Sequence, residues 1–446
     1  MLKRLAVFLT LLPSVIFASS STVHSYHLHN GLTLYVQVNK RAPVVLSQVW
    51  YKVGGAYEYD GVTGISHVLE HLMFQGTQNT KPGEFSQIIS DHGGIQNAMT
   101  DFDFTVYYQE LPSRYLDIAF QLESDRMDNL LLTQKNLTKE MGVVKTEKRL
   151  RIDDSPQTQL LLALFKEAFT NAPYHHPIIG WQKDLDNMNL TEVKKWYKTW
   201  YSPNNAILVV VGEVNPDQVY QLAQQYFGKI PPEKVPSTTI RTQKPSGPKT
   251  FTLNIPAKLP MILIGFNVPS YNTTKNKQDL YALAVLAEIL AGDDSSIFEN
   301  QLIRQEHIAV GAEAHYDPFM LHSSLFYIGA VPANNVTLKQ LNSKILSIIQ
   351  QLQEKPISTS QLRRAKVRIM ATKVYSLDSL AAQANQIGSL EAVGIPWQVG
   401  KDFVKNIENV STAEVQNAAR TYLTPARMTT GYLVPSEPKG ETHASI

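Results

Sequence analysis

The chain has 446 residues, 43% of them hydrophobic and 18% charged, which suits two or more buried cores and excludes a disordered chain. A formal net charge of +2 gives no reason to expect nucleic acid or an acidic membrane surface as partner. With no cysteine, disulfides, thiolate metal sites, thiol nucleophiles and lipid attachment through sulfur are all excluded.

The chain opens with an export pattern over residues 1–20. Lys3 and Arg4 precede an apolar run from Leu5 to Phe17, and the small residues Ala18, Ser19 and Ser20 follow. A basic start, an apolar core and a small-residue cleavage zone together make a secretory signal peptide. The run is too short for a good membrane span, and no later stretch approaches the roughly 20 apolar residues that one needs. Export without disulfides fits a bacterial periplasm better than a eukaryotic extracellular space.

Residues 21–230 are expected to form a first domain. Residues 23–55 read as two strands turning at Asn30 and Gly31. His24, His27 and His29 look like metal ligands on paper, but strand alternation makes them a solvated face. A helix is expected over 67–75, introduced by Gly64 and Ser66 and stopped at Gly76, with a second beginning near Pro82. Residues 93–111 read as strand. Helical periodicity covers 112–129 and then runs from about 133 to 170. A helix over 189–201 leads into a buried strand from Asn205, and another helix follows over 215–227.

Residues 231–249 are rich in proline, threonine, serine and lysine and form a linker. A second domain (250–438) then repeats the order of elements, ending in a strand near Met428, with 439–446 as a tail. Glu192, Val193, Trp200 and Pro203 match Glu414, Val415, Tyr422 and Pro425 at one constant shift, which suggests duplication. A similar shift lays Ala284, Ala287 and Glu288 over His67, Glu70 and His71, so the chemistry belongs to the first domain alone. The expected fold class is α+β: two homologous α/β sandwiches, each a mostly antiparallel sheet with helices packed on it, linked as a clamshell.

His67 and His71 are four residues apart, one helical turn on one face, which is the spacing at which two imidazoles can share a zinc ion. Glu70 can overhang the same face. Two imidazoles need a third protein ligand if a fourth position is to stay open for water. Downstream, Glu140 and Glu147 are two helical turns apart and so share a face, although glutamates on a charged helix are usually solvated.

The inverted motif His67-x-x-Glu70-His71, with Glu140 and Glu147 downstream, resembles the insulinase/pitrilysin family of zinc metallopeptidases (the inverzincins), most of all the bacterial branch related to the mitochondrial processing peptidase. The stretches GGIQNAMTDFDFTVYY, HPIIGWQKDL and YSPNNAILVVVGEV also match, and the resemblance covers nearly the whole mature chain.

It implies one Zn2+ per chain on His67, His71 and Glu147, with Glu70 as general base and Glu140 behind the ligands. Asn97 and Ala98 would contact a peptide held extended against the sheet edge. Arg304 fits the arginine that the second domain of active relatives supplies. The tyrosine that usually stands seven positions later is replaced by Gly311, and Tyr316 and His315 lie nearby in sequence. Some bacterial relatives divide the two sets of residues between homologous chains. The expected partner is therefore a homologous subunit, as a heterodimer or a homodimer, with peptides as substrates. A non-catalytic binding or assembly protein of the same fold, and a zinc enzyme of another kind, are the competing readings.

Overall fold

The computed structural model describes residues 22–436; the expected signal peptide and the tail at 439–446 lie outside the described residues. Its first sheet contains β1 (Val23–His27), β2 (Thr33–Val38), β3 (Val44–Tyr51), β4 (Ile95–Thr100), β5 (Thr105–Pro112) and β6 (Ala206–Gly212), in the spatial order β1-β2-β6-β3-β5-β4. Only β2 and β6 run parallel; the other neighbours are antiparallel. The sequence of β6, AILVVVG, has no polar side chain, and every residue in it is buried, as a central strand covered on both faces requires.

The helices of this half are α1 (Ile65–Leu72), α2 (Glu84–Asp91), α3 (Leu116–Asp128), α4 (Gln134–Lys148), α5 (Pro156–Ala168), α6 (Gln182–Asn187), α7 (Leu190–Trp200) and α8 (Pro216–Tyr226). Most pack on one face of the sheet around a core that includes Val36, Val49, Leu69, Leu72, Phe120 and Val193. His24, His27 and His29 are exposed on and beside the outermost strand.

Three expected elements are divided. The two strands expected over 23–55 are three, β1, β2 and β3, with the Asn30–Gly31 turn between the first two. The strand-like stretch 93–111 is a hairpin, β4 and β5, because Asp101 turns the chain: its N–H donates to the Phe104 carbonyl at 2.8 Å. The stretch 133–170 is two helices, because Ser155 caps a new one and Pro156 takes its first position. Between them Arg149–Asp153 forms a wide π turn, closed by Lys148 reaching Asp153 at 2.7 Å.

The second sheet repeats the first without β1. It contains β7 (Lys249–Pro256), β8 (Met261–Val268), β9 (Ala309–His315), β10 (Ser324–Pro332) and β11 (Met428–Ser436), in the order β7-β11-β8-β10-β9, with β7 and β11 parallel. Its helices are α9 (Gln278–Ala291), α10 (Leu338–Glu354), α11 (Thr359–Ser376), α12 (Leu380–Ala392), α13 (Gln398–Asn409) and α14 (Thr412–Tyr422). The correspondence reaches the caps: α7 starts on an Asn189–Glu192 capping box and α14 on a Ser411–Glu414 box. Each helix ends in a short proline-led turn that feeds a strand beside the sheet centre.

The two halves exchange helices. From the first half, α5 lays Leu160, Leu164 and Ala168 against Leu263, Leu325 and Leu433 of the second sheet. From the second half, α12 lays Ala384 and Ile387 against Leu46, Trp50, Ile207 and Val209 of the first. Gly388 permits this approach, since a Cβ there would stand 2.2 Å from the Trp50 indole. Polar pegs fix the register of α12: Gln37 donates to Gln383, and Gln48 to Asn385, each at 2.7 Å.

Candidate metal centre

The site forms where α1 crosses α4. On α1, Ile65, Val68, Leu69 and Leu72 face the core and are at most 1% exposed, which leaves His67 and His71 on the opposite, α4-facing side. Glu147 stands in the last turn of α4, just before the π turn. Its Oε2 is 3.3 Å from His71 Nε2 and 3.6 Å from His67 Nε2, while its Oε1 pairs with Arg151 at 3.0 Å. Ligand atoms of these three residues all lie within 4.8 Å of one another, and among the described residues no other group of His, Asp and Glu converges in this way.

The donor set fits a zinc ion. A tetrahedron with bonds of about 2.0–2.1 Å has edges of roughly 3.3–3.4 Å, close to the separations here. Burial, helped by His71 and Arg151, lowers the His67 imidazole to about 3, so at neutral pH it is uncharged and carries the lone pair that a metal needs. Glu140, 6% exposed, places its Oε2 3.4 Å from His71 Nδ1 and can hold that ring with Nε2 turned toward Glu147.

Glu70 is not one of the three converging groups. Thr100, the last residue of β4, donates its hydroxyl to Glu70 Oε2, and both residues line the same cleft as the two imidazoles. Burial raises the Glu70 carboxyl and Glu147 adds to the rise, while Thr100 and His71 draw it back down. A carboxylate beside the ligands, with a raised affinity for a proton, is suited to proton transfer.

These residues open into a cleft of about 1190 Å³ whose lining runs from His67 to Ile179, all within the first half. One side is β4, the terminal strand of its sheet, with Asn97 and Ala98 at the cleft; β4 pairs with β5 in unbroken register and leaves its other edge unpaired. The Asn97 side chain accepts the N–H of Ala98 at 2.9 Å. An apolar wall of Val143, Leu150, Ile152, Leu162, Ile178 and Ile179 also belongs to the lining.

Arg304 is not among the residues brought together here. It lies in the turn Glu299–Gln305 and pairs with Glu299 at 2.8 Å and with Asp294 at 3.6 Å. Gly311 is on the edge strand β9 of the second sheet, Tyr316 donates to the Pro269 carbonyl at 2.7 Å, and His315 pairs with Glu313 at 3.3 Å; none of the three lines the cleft. Thr100, Arg151 and the apolar wall had gone unnoticed in the sequence. The turn that carries Leu150, Arg151 and Ile152 was hidden inside what read as one continuous helix.

Residues 34–181 match the family described as Insulinase (Peptidase family M16), and residues 187–368 match the Peptidase M16 inactive domain. The chain belongs to peptidase family M16. Over 417 residues, 92% of each chain, it is 30% identical to "Zinc protease PqqE" of Helicobacter pylori. Over 407 residues it is 23% identical to the mitochondrial-processing peptidase subunit beta of Lentinula edodes, covering 89% of this chain and 86% of that one. A solved protease structure from Helicobacter pylori superposes with a TM-score of 0.87 at 29% identity, covering 93% of this chain and 100% of the other. The M16 fold thus has two sheet-and-helix domains here; the match to the inactive domain begins at residue 187, within the first half, and extends to residue 368 in the second.

Proposed function

We propose that this M16 protein is an exported zinc-dependent endopeptidase that cleaves extended or unfolded peptides. The observation that carries the reading is the convergence of His67, His71 and Glu147 beside Glu70 in a cleft bounded by an unpaired strand edge. His67, His71 and Glu147 would hold one zinc ion per chain. When bound, zinc supplies a Lewis acid that can bring the pKa of water down to about 7.

The protein's own groups do the rest. A substrate strand pairs with the free edge of β4, where main-chain hydrogen bonds hold a peptide with little regard to its sequence. Asn97 and Ala98 sit beside the bond to be cut. Glu70 takes the proton of the attacking water as oxygen bonds to the carbonyl carbon, then gives it to the departing amine nitrogen as the C–N bond breaks. Glu140 keeps the His71 ring in place, and the apolar wall excludes water from the far side of the peptide.

Two observations favour a partner chain. The cleft draws no residue from the second half, and Arg304 is engaged by its own acidic neighbours. We therefore read the protein as the zinc-bearing member of a pair, the second chain facing the cleft with its own arginine and tyrosine. The export pattern at 1–20 points to the periplasm; among the described residues no helix is long and apolar enough to cross a membrane. The same engagement of Arg304, with Gly311 at the tyrosine's place, is what favours the second reading, a peptide-binding or assembly subunit without catalysis.

The deciding experiment is hydrolysis of a mixed quenched-fluorescence peptide pool by the mature chain, with metal analysis and size-exclusion chromatography on the same sample. Activity that disappears in Glu70→Gln and on chelation supports the peptidase. A fully active monomer removes the paired-subunit reading. Zinc at one per chain with no hydrolysis, with or without a homologous partner, leaves the assembly reading in its place.

A further inference from the structure

Helix α1 starts without a cap of its own. Its N-cap is Gly64, in the left-handed region at φ 87°, and no side chain of the capping position bonds the first-turn amides. Helix starts normally satisfy those amides with an adjacent Ser, Thr, Asp or Asn. Here Glu58 does it from outside the helix: its Oε2 accepts the Gly64 N–H at 2.7 Å and its Oε1 accepts the Ser66 N–H at 2.9 Å.

The arrangement is costly and closely fitted. The Glu58 side chain is wholly buried, with the His176 ring behind it, Nδ1 lying 3.9 Å from Oε2. Burial pushes the carboxyl up to about 8, against the pull of the Ser66 and Gly64 amides. The capped turn itself has no slack: a Cβ on Gly64 would stand 2.4 Å from the Ile179 carbonyl oxygen. At the other end of the same loop, Asp184 Oδ2 accepts the N–H groups of Gly61 and Thr63, each at 3.3 Å.

A local cap would secure the helix at a lower desolvation cost. What Glu58 adds is a fixed origin for the helix in the frame of the protein. Both amides that it holds precede His67 by three residues or fewer, and His67 Nε2 must meet His71 and Glu147 to within a few tenths of an ångström for all three to reach one ion.

We propose that Glu58 is a positioning residue of the metal centre: its carboxylate anchors the first turn of α1 so that His67 is held in reach of His71 and Glu147. The inference rests on the zinc reading of that site, yet its test needs no peptidase activity. Zinc affinity is measured by chelator competition on the full mature chain at pH 9, above the value of about 8 to which burial raises Glu58, alongside thermal melting, for wild type, Glu58→Ala, Glu58→Gln and Gly388→Ala. The last variant crowds the Trp50 indole in a core cluster that contains no residue of α1 or α4.

Zinc binding about 10- to 100-fold weaker in Glu58→Ala is expected, the range that supporting groups of metal ligands command. Glu58→Gln should fall between, since its amide oxygen can still accept one N–H, and Gly388→Ala should stay within about twofold of wild type. If Glu58→Ala does not fold, Glu58→Gln decides alone: unchanged zinc affinity overturns the proposal. So does a loss of affinity that merely tracks melting temperature across all variants, Gly388→Ala included. Wild type that binds zinc but cuts no peptide would count against the peptidase reading and leave the role of Glu58 standing.

Discussion

Apart from β1, the two halves share a strand order and a capped closing helix, and the difference that matters for the site lies at one helix crossing. In the first half α1 meets α4, and the crossing carries His67, Glu70, His71 and Glu147. In the second half α9 packs on α11, with Ala284, Ala287 and Glu288 in the matching places. There Glu288 pairs with Arg368 of α11 at 2.9 Å, and Arg368 also reaches Asp293 at 3.0 Å. One framework thus accepts either a metal-ligand set or an ion pair at this position. In the second half the crossing closes on that ion pair with no histidine in it, so the framework itself does not call for the cluster.

The contrast can be broken most strongly at Glu70. Glu70→Gln should lower kcat/KM by about 100- to 10,000-fold, the usual contribution of a general base, while zinc content stays at the wild-type level. Glu140→Ala should weaken zinc by about 10- to 100-fold in chelator competition, because the His71 ring loses its acceptor. Gly388→Ala forces a methyl group into the Trp50 indole and should cost about 1–3 kcal/mol in melting experiments with zinc affinity unchanged.

A pH effect belongs to the seam between the halves. Asp103 accepts the Leu321 N–H at 2.9 Å and the Tyr174 hydroxyl at 3.0 Å, and burial raises its carboxyl to about 7. An unfolded aspartate titrates near 3.9, so between these values the folded state holds a proton that the unfolded state has released. The stabilisation is complete below the unfolded value and is lost as pH rises through about 7. The stability deficit of Asp103→Asn, measured by denaturant titration, should therefore shrink between pH 6 and 8. A deficit that is constant or grows over that interval would remove this assignment. The smallest effect is expected at the ion pair of the second half: Arg368→Gln, part-exposed, should change stability by less than about 1 kcal/mol and leave kcat/KM alone.

Much of this was legible because it is local or repeated. The four-residue spacing of His67 and His71 is a helical quantity, and the shared spacing of the Glu192 and Glu414 capping boxes exposes the duplication. The α+β class follows from the order of elements, and the family was legible through the resemblance carried by His67, Glu70, His71, Glu140 and Glu147 with the stretches GGIQNAMTDFDFTVYY, HPIIGWQKDL and YSPNNAILVVVGEV. What escaped is set by contacts between distant segments. Asp101 and Pro156 do leave local marks, but period alone merged the elements on either side of them. Nothing local marks Glu58, because the amides that it serves belong to a helix whose missing cap shows only in three dimensions. The place of Arg304 depends on which surface the second half presents to the cleft, and no spacing in one chain encodes that.

The exchanged helices also govern how this chain can come into being. The first sheet has Trp50, Ile207 and Val209 in place early in synthesis, yet the residues that shield them from water are α12, Leu380–Ala392, near the end. Until that segment is delivered, the first sheet has a wet apolar back. The halves should therefore mature as one cooperative body with a single calorimetric transition, and a fragment ending at residue 230 should aggregate rather than survive as a small peptidase.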